Sequence, residues 1–244
     1  MRRFYNEKLD ETTSSFSLSG KESHHLKNVL RLKENDEVIF TNGKGMDFLT
    51  KIVKLEKNET HFSIFSASKG KSDSPVEISL GFSMIKGKKN DQLIKPLTEI
   101  GVFEIIPYIS KRSISSPDKK KISNKIERWA ELSKEALKQC ERSTLPKIKD
   151  LKSFDEIIEA SKNYDLKIMF HERITIPSSK LLDKYKNPKK ILAITGPEGG
   201  FTDNEKEAAL KAGFETISLG PRILRAETAS IAAAVLLQHI FGDL

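Results

Sequence analysis

The chain has 244 residues, 37% of them hydrophobic, and a formal net charge of +8 at pH 7, which is typical of a soluble, globular protein with one large domain or two smaller ones. Its single cysteine, Cys140, excludes an intrachain disulfide framework and any multi-cysteine zinc or iron–sulfur site, and it fits a reducing compartment. No apolar run approaches the roughly 18 residues that span a bilayer, and the start MRRFYNEK lacks the apolar region of a signal peptide, so we expect a cytoplasmic protein without a membrane partner.

The first 70 residues have the pattern of β-strands with one early helix. In SGKESHHLKNVLR, Ser19 and Glu22 have the spacing of a capping box, and the apolar face of a helix follows. The runs EVIFT, MDFLTKIV and THFSIFSA, joined by turn-rich NGKG and KLEKNE, predict three antiparallel strands of a small barrel. The polar segment 68–75 predicts a linker, which divides the chain into domains at 1–72 and 73–244.

After the linker, strands alternate with helices. The strand VEISLGFSMI precedes a helix that Gly101 is placed to end, and the strand VFEIIPYI precedes a long helix from about 118 to 142. A helix near 154–162 leads into the strand LKIMF. The helix PSSKLLDKY, the strand KILAI, a helix capped by Thr202 and Glu205, the strand FETISL and the helix ETASIAAAVLLQHIF complete the chain. This order predicts an α/β fold with a mostly parallel sheet covered on both faces.

The positive charge is concentrated in the middle of the chain. Residues 86–147 carry 15 Lys and Arg against 8 Asp and Glu. Such a concentration is expected of a protein that binds nucleic acid, and lysine-rich solvated helices produce it equally well.

A glycine-rich corner, ITGPEGGFT, connects the strand KILAI to the next helix. Corners of this kind often bind phosphate, because a helix N-terminus offers free N–H groups and a partial positive charge. This corner lacks the Lys-Ser/Thr ending of a P-loop, and the carboxylate of Glu198 would repel a phosphate. The corner therefore favours a ligand that is uncharged or cationic at this point.

A second corner, GPRILRAETA, follows the strand FETISL and opens the last helix. Ligands of open α/β sheets bind at the carboxyl ends of the strands, so two corners at that edge can enclose one small molecule. Each corner alone is a weak signal, because Gly-Pro turns are often only turns.

Together, GPEGGFTDNE and LGPRILRAETA resemble the C-terminal signature of the SPOUT class of S-adenosylmethionine-dependent RNA methyltransferases, and in particular its RsmE family. The resemblance continues through KPLTEIGVFEIIPYISKRS, EALKQCERSTLPKI, MFHE and HHLKNVLR, and so covers nearly the whole chain. It implies a PUA-like RNA-binding barrel at the N-terminus, a deep trefoil knot in the second domain and a homodimer. The implied reaction is methylation of N3 of one uridine in small-subunit ribosomal RNA.

By this resemblance, the two corners and the turn after LKIMF hold a bent S-adenosylmethionine molecule. Its sulfonium cation tolerates a nearby carboxylate, which gives Glu198 a role, although an exposed turn carboxylate is the alternative. Glycine is needed where backbone approaches the ligand closely or adopts positive φ. The predicted cofactor-binding residues are His171, Glu172, Thr195, Gly196, Glu198, Gly199, Gly200, Leu219, Gly220, Ile223, Leu224 and Arg225.

Methyl transfer to nitrogen requires alignment of donor and acceptor and loss of the N3 proton, and it needs no metal. An arginine would stabilise negative charge that develops on the uracil carbonyl oxygens. Arg225 is the first candidate, with a salt bridge to Glu227 as its alternative role. Arg142 is the second candidate, with a helix-dipole role as the alternative. No residue identifies itself as the general base.

A set of cations is predicted to line the path of the RNA phosphates. Each one individually is equally well explained as a solvated charge. The set comprises Arg2, Arg3, His25, Arg31, Lys86, Lys88, Lys89, Lys111 and Arg112.

Two other functions compete with base methylation. A ribose 2′-hydroxyl methyltransferase of the SpoU type typically has an Asn-bearing, serine-rich start to its last helix, and RAETASIAAA differs from that pattern. A non-catalytic RNA-binding protein for ribosome assembly would be expected to have disrupted corners, whereas both corners here keep their glycines. The alanine-rich last helix should be buried nearly all round, in the core or in a dimer interface.

Overall fold

The computed structural model describes residues 1–85, 87, 89–113, 119–172, 181 and 184–244, without the side chains of Lys21 and Lys119. The chain forms two compact units. The first consists of Met1–Asp73 and Leu137–Leu145, and the second of Ser74–Ala136 and Pro146–Leu244. None of the helices in the described part of the chain is both long and apolar enough to span a membrane.

The first unit is built on a curled five-stranded sheet with the order β1-β3-β4-β5-β2. Its strands are β1 (Arg3–Tyr5), β2 (Ser15–Ser19), β3 (Glu37–Thr41), β4 (Met46–Leu55) and β5 (Glu59–Lys69). The three predicted strands correspond to β3, β4 and β5, which pair antiparallel. Alternate residues of these strands, such as Phe40, Phe48 and Phe62, are fully buried in its core. The short strands β1 and β2 were not predicted.

The early helix of the first unit is shorter and less regular than its sequence pattern indicates. Helix α1 (Gly20–His24) continues directly into a π-helical turn, His25–Val29. Ser19, the predicted cap, belongs to β2 and pairs with Glu59 of β5. The helix is therefore anchored through the strand that precedes it.

The segment Leu137–Leu145 belongs to the first unit although it lies far along the sequence. The carbonyl oxygen of Ser143 accepts a hydrogen bond of 2.9 Å from the backbone N–H of Gly45, and the N–H of Leu145 donates one of 2.9 Å to the carbonyl of Gly43. The first unit is thus completed by residues from beyond the predicted domain boundary, which the pattern of elements did not indicate.

The second unit contains a seven-stranded sheet with the order β12-β10-β11-β6-β7-β8, and β9 also pairs with β7. All of its recorded strand pairs are parallel. Its strands are β6 (Glu77–Ser83), β7 (Glu104–Ile109), β8 (Lys147–Ile148), β9 (Lys152–Ser153), β10 (Leu166–Phe170), β11 (Lys190–Thr195) and β12 (Glu215–Ile217). The two-residue strands β8 and β9 are too short to produce a sequence pattern.

Five helices accompany this sheet in the part of the chain that the structure describes. They are α2 (Asp91–Glu99), α3 (Lys119–Cys140), α4 (Phe154–Ala160, followed by a 3-10 turn), α5 (Asp203–Lys211) and α6 (Ala226–Phe241). The last turn of α3 belongs to the first unit. The helix predicted for residues 177–185 falls mostly on positions outside the described residues.

Both faces of the parallel sheet are covered, as predicted. Along β11, Ile191 and Ala193 lie in the core cluster that includes residues of α2 and α6, whereas Leu192 and Ile194 lie in the cluster that includes residues of α4 and α5. Strands buried on both faces read as continuous apolar runs. The predicted α/β fold with a mostly parallel sheet is confirmed.

Within the single chain, the last helix α6 is buried along one face only. Ala233, Ala234 and Leu237 are fully buried, but the side chain of Val235 is 42% exposed and His239 is also exposed. The core of this chain therefore buries one face of α6, and burial of the remaining positions in a dimer interface stays a prediction.

The predicted capping box at the start of α5 is confirmed. The hydroxyl of Thr202 accepts a hydrogen bond from the Glu205 N–H, and a Glu205 carboxylate oxygen accepts one of 2.8 Å from the Thr202 N–H. The other carboxylate oxygen accepts a 2.8 Å hydrogen bond from the N–H of Lys111. Glu205 thereby connects the start of α5 to the loop after β7.

Glu205 should make stability depend on pH in the acid range. Burial by itself raises the pKa of Glu205, but the hydrogen bonds from Thr202 and Lys111 outweigh it and lower the pKa below the ordinary value of 4.5. A lowered folded-state pKa contributes stability above the unfolded-state value, and this stability is lost as the pH falls through the folded-state pKa. We expect Glu205→Gln to reduce the loss of melting temperature below about pH 4.5. If the melting temperature of the variant falls with decreasing pH as steeply as that of the unmutated protein, the prediction is contradicted.

Candidate active site

A pocket opens at the carboxyl edge of the parallel sheet, where three neighbouring strands end. Strand β10 ends at Phe170, β11 at Thr195 and β12 at Ile217, and the loops that follow them form the walls. The loops surround about 480 Å³ of space not filled by protein atoms, open solvent at the mouth included. Its lining residues are Phe170, His171, Glu172, Thr195, Gly196, Pro197, Gly200, Ser218, Leu219, Gly220, Arg222, Leu224, Ala226 and Ala229.

The first wall is the corner after β11. The carbonyl of Thr195 accepts a 2.8 Å hydrogen bond from the buried Tyr108 hydroxyl, and its own hydroxyl lies 2.8 Å from the Ser230 hydroxyl of α6. Burial raises the pKa of Tyr108 well above its ordinary value, so this phenol stays a donor. Gly200 closes the corner with φ +67°, and its N–H donates to the Pro197 carbonyl. These hydrogen bonds fix the backbone of the corner at both ends.

The second wall is the corner after β12. Gly220 has φ +109°, and nothing lies within 4 Å of the position its Cβ would take. The Ser218 hydroxyl accepts from the Gly220 N–H and donates to the Gly220 carbonyl, which folds the turn back on itself. Arg225 is the N-cap residue of α6 and has extended backbone angles. The corner thus brings both glycine backbone and a helix N-terminus to the pocket.

The third wall is the turn after β10. His171 is 9% exposed, its N–H donates 2.9 Å to the Ile217 carbonyl of β12, and its ring stacks on Phe201. Glu172 follows it, with a carboxylate oxygen 3.9 Å from the His171 Nδ1 atom. A carboxylate that lines the pocket beside glycine backbone suits a cationic ligand and opposes an anionic one.

Most of the predicted cofactor-binding residues lie together around this pocket. Those that line it are His171, Glu172, Thr195, Gly196, Gly200, Leu219, Gly220 and Leu224. Glu198, Gly199, Ile223 and Arg225 do not line it, and they stay predictions. The lining residues that sequence reasoning missed are Phe170, Pro197, Ser218, Arg222, Ala226 and Ala229. All six lie within the strands and corners that the sequence predicted, and Ala229 is reached because the first turn of α6 faces the pocket.

A cluster of four charged residues lies beside the two corners: Lys89, Glu198, Arg225 and Glu227. The Lys89 ammonium lies 2.5 Å from a Glu198 carboxylate oxygen and 3.9 Å from one of Glu227. The hydrogen bond to Glu198 raises the pKa of Lys89, and the positive charge of Arg225 opposes that rise. Within the described part of the chain, no ion pair joins Arg225 to Glu227, since Glu227 pairs with Lys89 instead.

Arg142, the second catalytic candidate, lies in the first unit. It follows α3 by two residues, is 4% exposed, and its Nε atom lies 3.5 Å from an Asp73 carboxylate oxygen. Asp73 also accepts hydrogen bonds from the backbone and hydroxyl of Thr144. The placement favours a role in holding the segment Leu137–Leu145.

Arg142→Ala should destabilise the first unit. Removal of one partner from a buried ion pair leaves the other charge uncompensated, and we expect the free energy of unfolding to fall by about 3 kcal/mol. The measurement is urea unfolding followed by circular dichroism. Lys138→Ala removes an exposed cation from the last turn of α3 and is the matched control. An Arg142→Ala midpoint equal to that of the control would contradict the assignment.

The predicted RNA-contacting cations have different surroundings. Arg2, His25, Arg31, Lys111 and Arg112 are exposed, whereas Lys86 and Lys88 lie outside the described residues. The Arg3 side chain is 7% exposed and pairs with Asp47 at 2.7 Å, which favours a structural role. Arg112 donates hydrogen bonds to the carbonyls of Gly199 and Phe201 and so supports the first corner.

Comparison with known families identifies both parts of the chain. Residues 72–238 match the model of an RNA methyltransferase domain, and residues 18–65 match that of an RNA methyltransferase PUA domain. The second match confirms the predicted PUA-like domain.

Curated relatives and solved structures are similar over almost the full length. The chain is 35% identical to the ribosomal RNA small subunit methyltransferase E of Buchnera aphidicola subsp. Acyrthosiphon pisum, over 99% of this chain and 94% of the relative. It is 29% identical to the protein of that name from Bacillus subtilis, over 91% and 89%. The structure of the Neisseria gonorrhoeae protein of that name, bound to S-adenosyl methionine, is 29% identical with a TM-score of 0.87, over 100% and 99% of the two chains.

Proposed function

The chain belongs to the ribosomal RNA small subunit methyltransferase E family, and we propose that it transfers a methyl group from S-adenosylmethionine to N3 of one uridine in small-subunit ribosomal RNA. It is an S-adenosylmethionine-dependent ribosomal RNA methyltransferase. The resemblance to the RsmE family, drawn from the two corners, is confirmed. The position of the methyl group on the base and the roles of individual residues are the proposal.

The pocket between the three strand ends supports the cofactor assignment. Gly200 carries no side chain at a place where a Cβ would lie 2.7 Å from a Glu172 carboxylate oxygen, so any larger residue would displace the Glu172 side chain from this wall. Glu172 adds a negative charge to the lining and the first corner contributes no lysine, which suits a sulfonium better than a triphosphate at this wall; the cation of the lining, Arg222, comes from the second corner. When bound, S-adenosylmethionine supplies a methyl group on a positively charged sulfur.

The residues of the pocket would act mainly by binding and orientation. The backbone of both corners would hold the cofactor, and the rigid Tyr108–Thr195 and Thr195–Ser230 contacts would keep the first wall in place. Arg225, exposed at the N-cap of α6, would place a guanidinium beside the base and stabilise negative charge on a uracil carbonyl oxygen. Exposed cations, including Lys111 and Arg112, would meet RNA phosphates.

We also propose a homodimer, a deep trefoil knot in the chain path of the second unit, and a cytoplasmic location with the ribosomal subunits. The dimer is supported by exposed apolar side chains on and beside α6. Ile223 is 83% exposed and Val235 is 42% exposed. Light scattering coupled to size exclusion measures the mass of the particle, and a purely monomeric protein would contradict the dimer.

Mass spectrometry of ribosomal RNA nucleosides tests the proposed function. Cells that lack the gene should lose one 3-methyluridine from small-subunit RNA, and the purified protein should restore it to their subunits. Loss of a 2′-O-methylated nucleoside instead would support the SpoU-type reaction. No change in any methylated nucleoside, together with no cofactor heat in calorimetry, would contradict the assignment.

A further inference from the structure

Glu227 is placed differently from Glu198, the other carboxylate of the charged cluster. It is the second residue of α6, between Ala226 and the turn that carries Ala229, both of which line the pocket. Its side chain is 18% exposed, whereas that of Glu198 is 49% exposed. Glu227 therefore lies at the start of the helix that forms one pocket wall, largely withdrawn from solvent.

The two carboxylate oxygens of Glu227 have unequal surroundings. Oε1 lies 3.9 Å from the Lys89 ammonium. Oε2 is buried, and no hydrogen-bond donor reaches it from the residues that the structure describes. Buried polar atoms almost always have a hydrogen-bond partner, and an unpartnered acceptor has a cost in stability. A ligand that donates a hydrogen bond at this place would remove that cost.

The charges around Glu227 define which donor fits. Lys89 contacts it, Arg225 precedes it by two residues, and Glu198 holds Lys89 from the other side. The cluster therefore offers an acceptor, Glu227, together with two cationic donors. The Watson–Crick edge of uracil has the complementary order, with the N3–H donor between two carbonyl acceptors. Cytosine has an unprotonated N3 at that position. Its lone pair would face a lone pair of the Glu227 carboxylate, and two acceptors that face each other repel.

We propose that Glu227 is the catalytic base of the reaction and that it selects uracil over cytosine by accepting the N3 proton. The inference rests on the proposed function. The N3–H bond breaks and its proton goes to the Glu227 carboxylate, which becomes a carboxylic acid and later returns the proton to water. The electron pair left on N3 forms the new bond to the methyl carbon, while the carbon–sulfur bond breaks with its electron pair going to sulfur.

The first test measures the rate of methyl transfer under single turnover. The substrate is small ribosomal subunits from cells that lack the gene. Glu227→Gln keeps the shape but cannot take a proton, so we expect a loss of about 10²- to 10⁴-fold with cofactor affinity by calorimetry unchanged. Glu207→Gln, at an exposed carboxylate paired with Lys211 on α5, is the matched control and should keep the full rate.

The pH profile separates proton transfer from a structural role. An enzyme that removes the N3 proton itself does not depend on uracil that is already ionised in solution, so the unmutated enzyme should have a flat profile between about pH 6.5 and 8.5. The Glu227→Gln variant can methylate only uracil that has already lost its N3 proton. Because that ionised fraction rises about tenfold per pH unit below the pKa of uracil, the rate of the variant should rise by the same factor. Glu227→Asp should recover part of the rate and the flat profile. A flat profile for Glu227→Gln would overturn the proposal, as would a rate within threefold of the control.

A binding experiment without cofactor tests the selection of uracil. Filter binding compares subunits that carry the target uridine with subunits in which cytidine replaces it. We expect the unmutated protein to prefer uridine by about tenfold or more, and Glu227→Gln to reduce the preference to below threefold. An equal preference in both proteins would overturn the role of Glu227. If the unmutated protein methylates neither subunit, the proposed function fails, and this arm still decides whether Glu227 recognises the base.

Discussion

Gly200→Ala is expected to weaken S-adenosylmethionine binding at least tenfold. Gly200 lines the pocket with φ +67°, a conformation in which any other residue is strained, and a Cβ there would lie 2.7 Å from a Glu172 carboxylate oxygen. Backbone strain of about 1–3 kcal/mol and displacement of Glu172 from the wall act in the same direction. Calorimetric titration of the folded variant with the cofactor measures the effect.

Gly199→Ala is the matched control in the same corner. Gly199 does not have a positive φ, and its Cβ would lie 3.4 Å from the Cβ atom of Arg112, an ordinary contact. We expect its cofactor affinity to stay within about threefold of the original, because about 1.4 kcal/mol is needed for a factor of ten. Equal losses in both variants would show that the loop as a whole, rather than the glycine at the pocket wall, determines binding.

The contrast between these glycines shows what sequence could determine about the site. The order of strands and corners predicted that the turns after β10, β11 and β12 meet at one edge, because parallel strands end on the same side. That expectation placed eight of the twelve predicted cofactor residues on the pocket wall. Which of Gly199 and Gly200 faces the pocket depends on their backbone angles, and two consecutive glycines in a sequence do not indicate which of them adopts a positive φ.

The carboxylate that the sequence indicates for the pocket, Glu198, is not the one that lines it in the structure, which is Glu172. The sequence directs attention to Glu198, because it stands in the middle of a glycine-rich corner. In the structure, Glu198 is 49% exposed and paired with Lys89, and Glu172 is the carboxylate that lines the pocket. Lys89 and Glu198 are 109 positions apart, so no local pattern could reveal the pair that neutralises Glu198.

The segment Leu137–Leu145 shows the same limit for the fold. Its neighbours in space, such as Gly43, Gly45 and Asp47, come from about 100 positions earlier in the chain. Helical periodicity predicted α3 well, because the buried side chains of a helix repeat locally. Helical periodicity contains no information on which unit the residues after the helix join. The sequence therefore offers Arg142 as a catalytic candidate, whereas in the structure its ion pair lies within the first unit.

Arg225→Ala is expected to lower the rate of methyl transfer by about 10²- to 10³-fold, as for removal of one donor that stabilises a developing negative charge. Arg225 does not line the pocket, so cofactor affinity should remain within threefold. Single-turnover methylation of unmodified subunits measures the rate, and calorimetry the affinity. Arg225→Lys keeps the charge but loses the planar donor pair, and it should recover only part of the rate.

Arg128→Ala is the matched control for this prediction, because Arg128 is an exposed arginine of the second unit that pairs with Asp91 on α2. It should keep the full rate, because Arg128 is 58% exposed and is not among the residues that line the pocket. If Arg225→Ala instead lost the cofactor, the arginine would belong to the binding wall. If it lost neither rate nor cofactor, the negative charge on the uracil oxygens would have to be stabilised by Lys89, the other cation beside Glu227.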